Sequence, residues 1–197
     1  MTESLFDIVC TFFETDDWET YQVGDLPILN IPFTGRTAQW MCYAQVRETQ
    51  GQFVFYSVCP VLTPADRQNA IVEFITRVNY GLVIGNFEFD YEDGEIRYKT
   101  SVDVEGETLS QGMIQHIVYA NLVMMDHFLP SVLRVLYGDA DPATEAARAE
   151  GQPAPVSEID RLVNAALSDV ADLDDEDDED DPPPSTSDDA QENNPDS

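Results

Sequence analysis

The sequence is poor in basic residues, and this shortage limits what the protein can bind. Its 197 residues include 9 Lys and Arg against 39 Asp and Glu, which gives a formal net charge of −30. A field of that sign repels phosphate groups, so we expect no binding of nucleic acid or of an anionic membrane surface through general electrostatics. The partners we expect are proteins that are basic, or that are held by apolar contact at short range.

Cysteine is also scarce. The three that occur are Cys10, Cys42 and Cys59, an odd number with no CxxC spacing. The first residues carry Glu3 and Asp7 where a secretory leader would be basic, and no apolar run approaches the roughly 20 residues needed to span a bilayer. We therefore expect a cytoplasmic protein in reducing surroundings, with no membrane insertion.

The motifs of common catalytic and cofactor sites are missing from the sequence. It contains no GxxxxGK, GxGxxG, GxSxG or HExxH, and no basic pair or helix start adjoins a cysteine to activate it. His116 and His127 fall on one predicted helix about 16 Å apart, which is too far to share a metal ion. We expect a non-enzymatic protein without cofactor or metal, and keep a small Cys/His hydrolase as the alternative.

Charge divides the chain into two parts. Residues 139–197 hold 20 acidic and 2 basic side chains, whereas residues 1–138 hold 19 and 7. We expect a globular domain over 1–138, a linker over 139–156, a short amphipathic helix over 157–171 and a disordered acidic tail over 172–197. The tail is interpreted as solubilising, or as engaging a basic partner. A nucleic-acid mimic acting through the tail is a further alternative.

Apolar periodicity predicts the order α–βββ–α–ββ–α within the first part. The helices are expected over 2–15, from Thr63 to about Gly81, and over 110–137. The strands are expected over 26–33, 38–48, 52–61, 86–91 and 96–105. This order predicts an α+β fold with one five-stranded antiparallel sheet and helices on one face.

Single residues mark several of the predicted element ends. Thr2 or Ser4, Thr63 and Ser110 can cap the three helices. Pro130 inside the last helix is expected to kink or split it. Asp93-Gly94 predicts a tight hairpin, across which Glu88 and Asp90 would pair with Arg97 and Lys99.

The second and third strands are apolar on both faces, although one face of the sheet should be polar. We predict a partner interface on the second face, formed by five residues. These are Met41, Tyr43, Val54, Tyr56 and Val58. A protein client or a second copy of the chain, as a homodimer, would bind there. The alternative is that a helix or the 157–171 segment covers this surface.

The stretch from Arg77 to Gly106, RVNYGLVIGNFEFDYEDGEIRYKTSVDVEG, resembles the YbjN family of bacterial sensory transduction regulators. Asn79-Tyr80-Gly81-Leu82, Gly85 and Lys99-Thr100-Ser101-Val102 carry most of the resemblance, which covers about residues 3–138. The acidic tail is similar to cyanobacterial and plastid members. The resemblance implies a fold like that of type III secretion chaperones. It also implies a small acidic protein that binds other proteins, as a monomer or as a dimer, with no catalytic residue and no defined cofactor.

Overall fold

The computed structural model describes residues 4–151. Its helices are Leu5–Thr15 (α1), Gln68–Gly81 (α2), Gln111–Tyr137 (α3) and Pro142–Glu150 (α4). Its strands are Tyr21–Gln22 (β1), Ile28–Thr34 (β2), Gln39–Arg47 (β3), Gln52–Val58 (β4), Asn86–Phe89 (β5) and Ile96–Asp103 (β6). The α+β class is confirmed, and each element predicted within residues 1–138 is present, with ends that differ by a few residues and with α2 beginning at Gln68 rather than at Thr63.

The strands form one antiparallel sheet in the order β1-β2-β3-β4-β6-β5. It has six strands, so the predicted number of five is wrong. The additional strand, β1, has two residues, and Tyr21 and Gln22 pair with Asn30 and Leu29 of β2. Two residues are too few to show a period-two pattern, and β1 forms only because β2 offers it an edge.

Helices α1, α2 and α3 pack on one face of the sheet, here called the core face. Along β3 the residues Trp40, Cys42, Ala44 and Val46 point to this face and are buried. Phe13, Phe74 and Leu129 are buried on the helices that cover it. The other face carries the alternate residues of each strand and is called the open face below.

The helix starts follow the predicted caps in two of three cases. Ser4 caps α1 in a capping box with Asp7, and the Ser110 hydroxyl accepts a hydrogen bond from the Met113 amide at the start of α3. The prediction for Thr63 is wrong, because a short 3-10 turn at Ala65–Arg67 precedes α2 and no side chain caps it. Pro130 does not split α3, which is one helix of 27 residues.

Residues 139–156, predicted as a linker, contain the helix α4. Asp141 caps it and Pro142 occupies its first turn, where a missing amide hydrogen is tolerated. The helix packs against α2 and α3 and buries Ala146 and Ala149. A stripe of two alanines is too small to recognise as an apolar face in the sequence. The predicted helix 157–171 and tail 172–197 lie outside the described residues.

Buried charge fixes α4 to α3. The Glu145 carboxylate is almost inaccessible, and it accepts hydrogen bonds from Arg134 Nε at 2.7 Å and from Arg148 Nε at 3.0 Å. A buried carboxylate is retained only when it is paired in this way. Helix α4 is thus a specific part of the domain rather than a spacer.

Candidate functional site

The open face holds all five residues of the predicted partner interface. Tyr43 of β3 stands directly opposite Tyr56 of β4, and Val54 stands opposite Gln45. Met41 is 38% exposed, whereas Tyr43, Tyr56 and Val58 are half-buried. Val54 is only 8% exposed, so it supports the surface and offers little contact area of its own. The structure thus brings the five together on one face of the sheet.

Two shallow depressions lie on either side of Tyr56 on this face. One of about 240 Å³ is lined by Ile28, Tyr43, Val58 and Arg97 among others, and a second of about 200 Å³ is lined by Arg47, Gln52 and Lys99 among others. Ile28 of β2 is an apolar member that the sequence analysis missed. Only the register of β2 against β3, which pairs Ile28 with Gln45, shows that Ile28 lies on the open face.

Charged residues on β5 and β6 border the apolar centre of the open face. The Arg97 guanidinium lies 4.6 Å from the ring centroid of Tyr56, a distance at which a cation is attracted to an aromatic face. Arg97 Nε also donates to Glu88 at 2.8 Å, and Lys99 donates to the same carboxylate. The predicted pairing of Glu88 is confirmed. For Asp90, the described contact is with the Glu92 amide instead.

The pKa of Glu88 reflects this position. Partial burial acts to raise the pKa, but the hydrogen bonds and charges of Lys99 and Arg97 outweigh it, so that the pKa lies below its ordinary value. Glu88 therefore stays ionised at neutral pH and fixes both cations. Glu95 also lies 3.9 Å from Arg97, so two carboxylates accompany the two cations at the border of the open face.

Two features oppose the addition of another strand near the edges of the sheet. On β5, the Asn79 side chain of α2 accepts from the Phe87 amide at 2.8 Å and donates to the Phe87 carbonyl at 2.9 Å. On β2, the register turns the backbone of Pro32 outward beyond the end of β1, and proline has no amide hydrogen to donate. Both features oppose strand addition at these two positions.

A cleft of about 320 Å³ lies on the core side, between the β2–β3 turn and α3. Phe33, Tyr119 and Leu122 supply much of its lining, with Arg36 and Asp126 beside them. The Asp126 carboxylate accepts from the Arg36 amide at 2.9 Å and from Arg36 Nε at 2.6 Å. This carboxylate thus holds the β2–β3 turn against α3.

The surroundings of all three cysteines disfavour the thiolate form. Burial raises the pKa of the Cys42 thiol to about 12 and that of Cys59 to about 11. Burial and the carboxylates of Glu14 and Asp7 also raise the pKa of Cys10. A thiolate is the reactive form, so these shifts weigh against the Cys/His hydrolase.

These pKa shifts predict slow thiol chemistry. In iodoacetamide at pH 8, we expect Cys42 and Cys59 to remain unmodified in the folded protein while Cys10 reacts slowly, because Cys10 is partly exposed. All three should react once the chain is unfolded in guanidinium chloride. Peptide mass spectrometry follows each site. Fast alkylation of Cys42 or Cys59 in the folded protein would restore the hydrolase as a candidate.

No group of three or more His, Cys, Asp or Glu within residues 4–151 is arranged to hold a metal ion. Within the same residues, no helix is both long enough and apolar enough to cross a membrane.

A comparison with protein-family models shows to which family the chain belongs. Residues 6–134 match the family model YbjN, described as "Putative bacterial sensory transduction regulator". The chain belongs to the YbjN family. This confirms the resemblance carried by residues 77–106, and the matched range contains all five predicted interface residues. Helix α4 lies beyond the part of the chain that the YbjN model matches.

A solved structure shares the YbjN fold. "Crystal structure of YbjN, a putative transcription regulator from E. coli" superposes with a TM-score of 0.51 over 64% of this chain and 89% of that chain. The two sequences are 8% identical, so this likeness concerns the fold alone. The comparison with curated proteins gives no match. The YbjN descriptions are those of regulators, and they name no reaction and no bound molecule.

Proposed function

We propose that this chain is a non-catalytic, chaperone-like regulator or adaptor that binds a protein client on the open face of its sheet. The observation that carries the proposal is the open face itself. Met41, Tyr43, Tyr56 and Val58 form an apolar centre on the side of the sheet away from helices α1, α2 and α3. A surface of this kind on a folded domain is typical of a binding site.

The border of the open face indicates the chemistry of the client. Arg97 and Lys99 are held in place by Glu88 and lie next to Tyr56. A client held by apolar contact would insert a side chain beside Tyr56, and a hydrogen-bond acceptor next to that side chain would contact these cations. Because the cations are already positioned, little entropy is lost when they bind.

The proposal includes a cytoplasmic setting. Its support is the chemistry of the cysteines, since Cys10, Cys42 and Cys59 are all free thiols. Free thiols in a protein persist most readily in a reducing compartment.

The test replaces Met41 and Tyr43 with aspartate. The client is first recovered by affinity purification from native cells, identified by mass spectrometry and then prepared in pure form. We expect the M41D/Y43D variant to bind this client at least roughly a hundredfold more weakly, because central apolar contacts dominate interface energy. Circular dichroism should be unchanged, since Met41 is exposed and Tyr43 is half-exposed.

A matched control carries two aspartates at exposed apolar positions away from the open face. Leu62 and Tyr137 are both well exposed, and they contact each other near the end of α3. The L62D/Y137D variant should bind as the wild type does. Undiminished binding by M41D/Y43D would show that the open face is not the interface. Light scattering of the same variants tests whether the partner is instead a second copy of the chain.

Removal of residues 172–197 separates this proposal from the nucleic-acid mimic. An adaptor that binds through the open face should keep most of its client affinity after the truncation. A mimic should lose its activity with the tail, because the tail carries the concentrated negative charge.

A further inference from the structure

Two arginines from different helices share one buried carboxylate. Arg134 of α3 donates from Nε to Glu145 at 2.7 Å, and Arg148 of α4 donates from Nε to the same carboxylate at 3.0 Å. The Nη2 atoms of both arginines also donate to the Ser131 hydroxyl, each at 3.1 Å. Glu145 and Ser131 are almost completely buried. They hold the two guanidinium groups side by side, and Arg134 and Arg148 are called the arginine pair below.

The arginine pair carries an excess of positive charge. Within residues 4–151, Glu145 is the one carboxylate that forms an ion pair with either arginine. Arg97 and Lys99 on the open face, by contrast, are accompanied by two carboxylates, those of Glu88 and Glu95. One arginine is sufficient to neutralise a buried carboxylate. The second arginine therefore brings a positive charge that Glu145 does not match.

Hydrogen-bond donors of the arginine pair remain for a further group. Each guanidinium has a second terminal nitrogen, Nη1, and none of the hydrogen bonds described within residues 4–151 uses Nη1 of Arg134 or Arg148. The two side chains are 43% and 41% exposed, so a group from solvent can reach them. Unused N–H donors next to an unmatched positive charge are the features of an anion-binding site.

We propose that the arginine pair binds a phosphate group. A planar carboxylate is matched by the fork of one guanidinium, whereas a phosphate group has three terminal oxygens and can accept from two guanidinium groups at once. Glu145 and Ser131 already fix both cations, so little side-chain entropy is lost on binding. The net charge of the chain, −30, repels anions at long range. Binding therefore depends on short-range contact, and we expect a dissociation constant of the order of millimolar.

The arginine pair is separate from the proposed client site. Its two residues lie on α3, which covers the core face of the sheet, and on α4, which packs against α2 and α3. The match to the YbjN model ends at residue 134, so Glu145 and Arg148 lie beyond it. Phosphate binding is thus a property that helix α4 adds to the domain, independent of client binding on the open face.

A titration of the full chain with inorganic phosphate tests the proposal. Sodium chloride keeps the ionic strength constant, and the Nε–Hε NMR signals of the arginines report on each guanidinium. We expect the signals of Arg134 and Arg148 to shift and to saturate at phosphate concentrations of the order of millimolar, while the signal of Arg47 on β3 stays in place. Shifts of the arginine pair that do not saturate, or that chloride reproduces, would overturn the proposal.

Two single variants remove one cation each and leave Glu145 paired. In R148Q the carboxylate keeps Arg134, and in R134Q it keeps Arg148. We expect each variant to bind phosphate at least roughly tenfold more weakly, because charge-assisted hydrogen bonds are lost. The buried methyl groups of Ala146 and Ala149 show in NMR spectra of the same samples whether α4 remains packed. Wild-type affinity in both variants would overturn the proposal.

The matched control is R47Q, which changes the net charge of the chain by the same amount. Arg47 is exposed at the end of β3, and its Nη1 donates to the neutral side chain of Gln52. Phosphate affinity should be unchanged in this variant. An equal loss of affinity in R47Q and R148Q would contradict the proposal, since the effect would then come from the net charge rather than from the arginine pair.

Two further ligands identify the source and the class of the anion. If O-phosphoserine shifts the signals of Arg134 and Arg148 as inorganic phosphate does, the site accepts a phosphate monoester of the kind found on phosphorylated molecules. If only inorganic phosphate shifts them, the ligand is the free ion. Acetate that binds as tightly as phosphate would contradict the assignment, because a carboxylate would then satisfy the arginine pair equally well.

Discussion

Replacing Asn121 with alanine should lower the free energy of unfolding by about 2 to 3 kcal/mol, mainly through lost buried hydrogen bonds. Asn121 lies on α3 and is fully buried against the sheet. Its Nδ2 donates to the Phe55 carbonyl of β4 at 3.0 Å and to the Tyr98 carbonyl of β6 at 3.0 Å. It also lies 3.2 Å from the Thr100 hydroxyl. One amide thus joins the longest helix to two central strands.

The expected loss of stability stays moderate because the oxygen of the same Asn121 amide destabilises the folded state. Asn121 Oδ1 is buried and has no hydrogen-bond partner among the described residues. Such an acceptor costs free energy in the folded state, and the alanine variant would remove that cost as well. Urea unfolding followed by circular dichroism gives the difference in stability between the two chains.

A leucine at position 121 separates the hydrogen bonds from the lost volume. Leucine has the same number and branching of side-chain heavy atoms as asparagine, although it is bulkier, and it cannot donate to the carbonyls of Phe55 and Tyr98. We expect N121L to be destabilised by about as much as N121A, because the missing donor is common to both. If N121L is as stable as the wild type, the hydrogen bonds contribute nothing and the side chain only fills space.

Much of the fold could be predicted because its patterns are local. The period-two pattern of β3 and the apolar stripe of α3 lie within single stretches of sequence, and a serine cap marks the start of α3. Asn121 itself falls on the apolar stripe, so its burial could be predicted. Its contacts could not, because Phe55 is 66 residues away and only the packing of α3 on the sheet brings the two together.

In the candidate site, too, local patterns could be predicted from the sequence and contacts between distant residues could not. Alternation in β3 and β4 was sufficient to assign Met41, Tyr43 and Tyr56 to one face. The sequence could not show that Arg97 lies over Tyr56, since this contact depends on β4 pairing with β6 across the α2 and β5 region. The sequence did not predict helix α4, for a related reason. Its attachment depends on the buried Glu145, and a lone glutamate in a charged stretch does not indicate burial.

Replacing Gly85 with alanine should have the larger effect on stability, about 3 to 5 kcal/mol, through a steric overlap added to an unfavourable backbone conformation. Gly85 has a φ of +79°, which L side chains rarely adopt. A Cβ atom there would lie 2.6 Å from the Lys99 carbonyl oxygen and 2.7 Å from Thr100 Cγ2. The carbonyl belongs to the β6 backbone, so it cannot move aside without disturbing the sheet.

Gly106 provides the matched control for this prediction. Its φ is +81°, but a Cβ atom at this position would have no heavy atom within 4 Å. G106A therefore carries the backbone penalty alone, about 1 to 2 kcal/mol. Thermal unfolding should place G85A roughly 10 °C below the wild type and G106A only a few degrees below it. Equal melting temperatures for the two variants would mean that the loop between α2 and β5 can withdraw from β6, despite the contacts that Gly85 and Tyr98 make there.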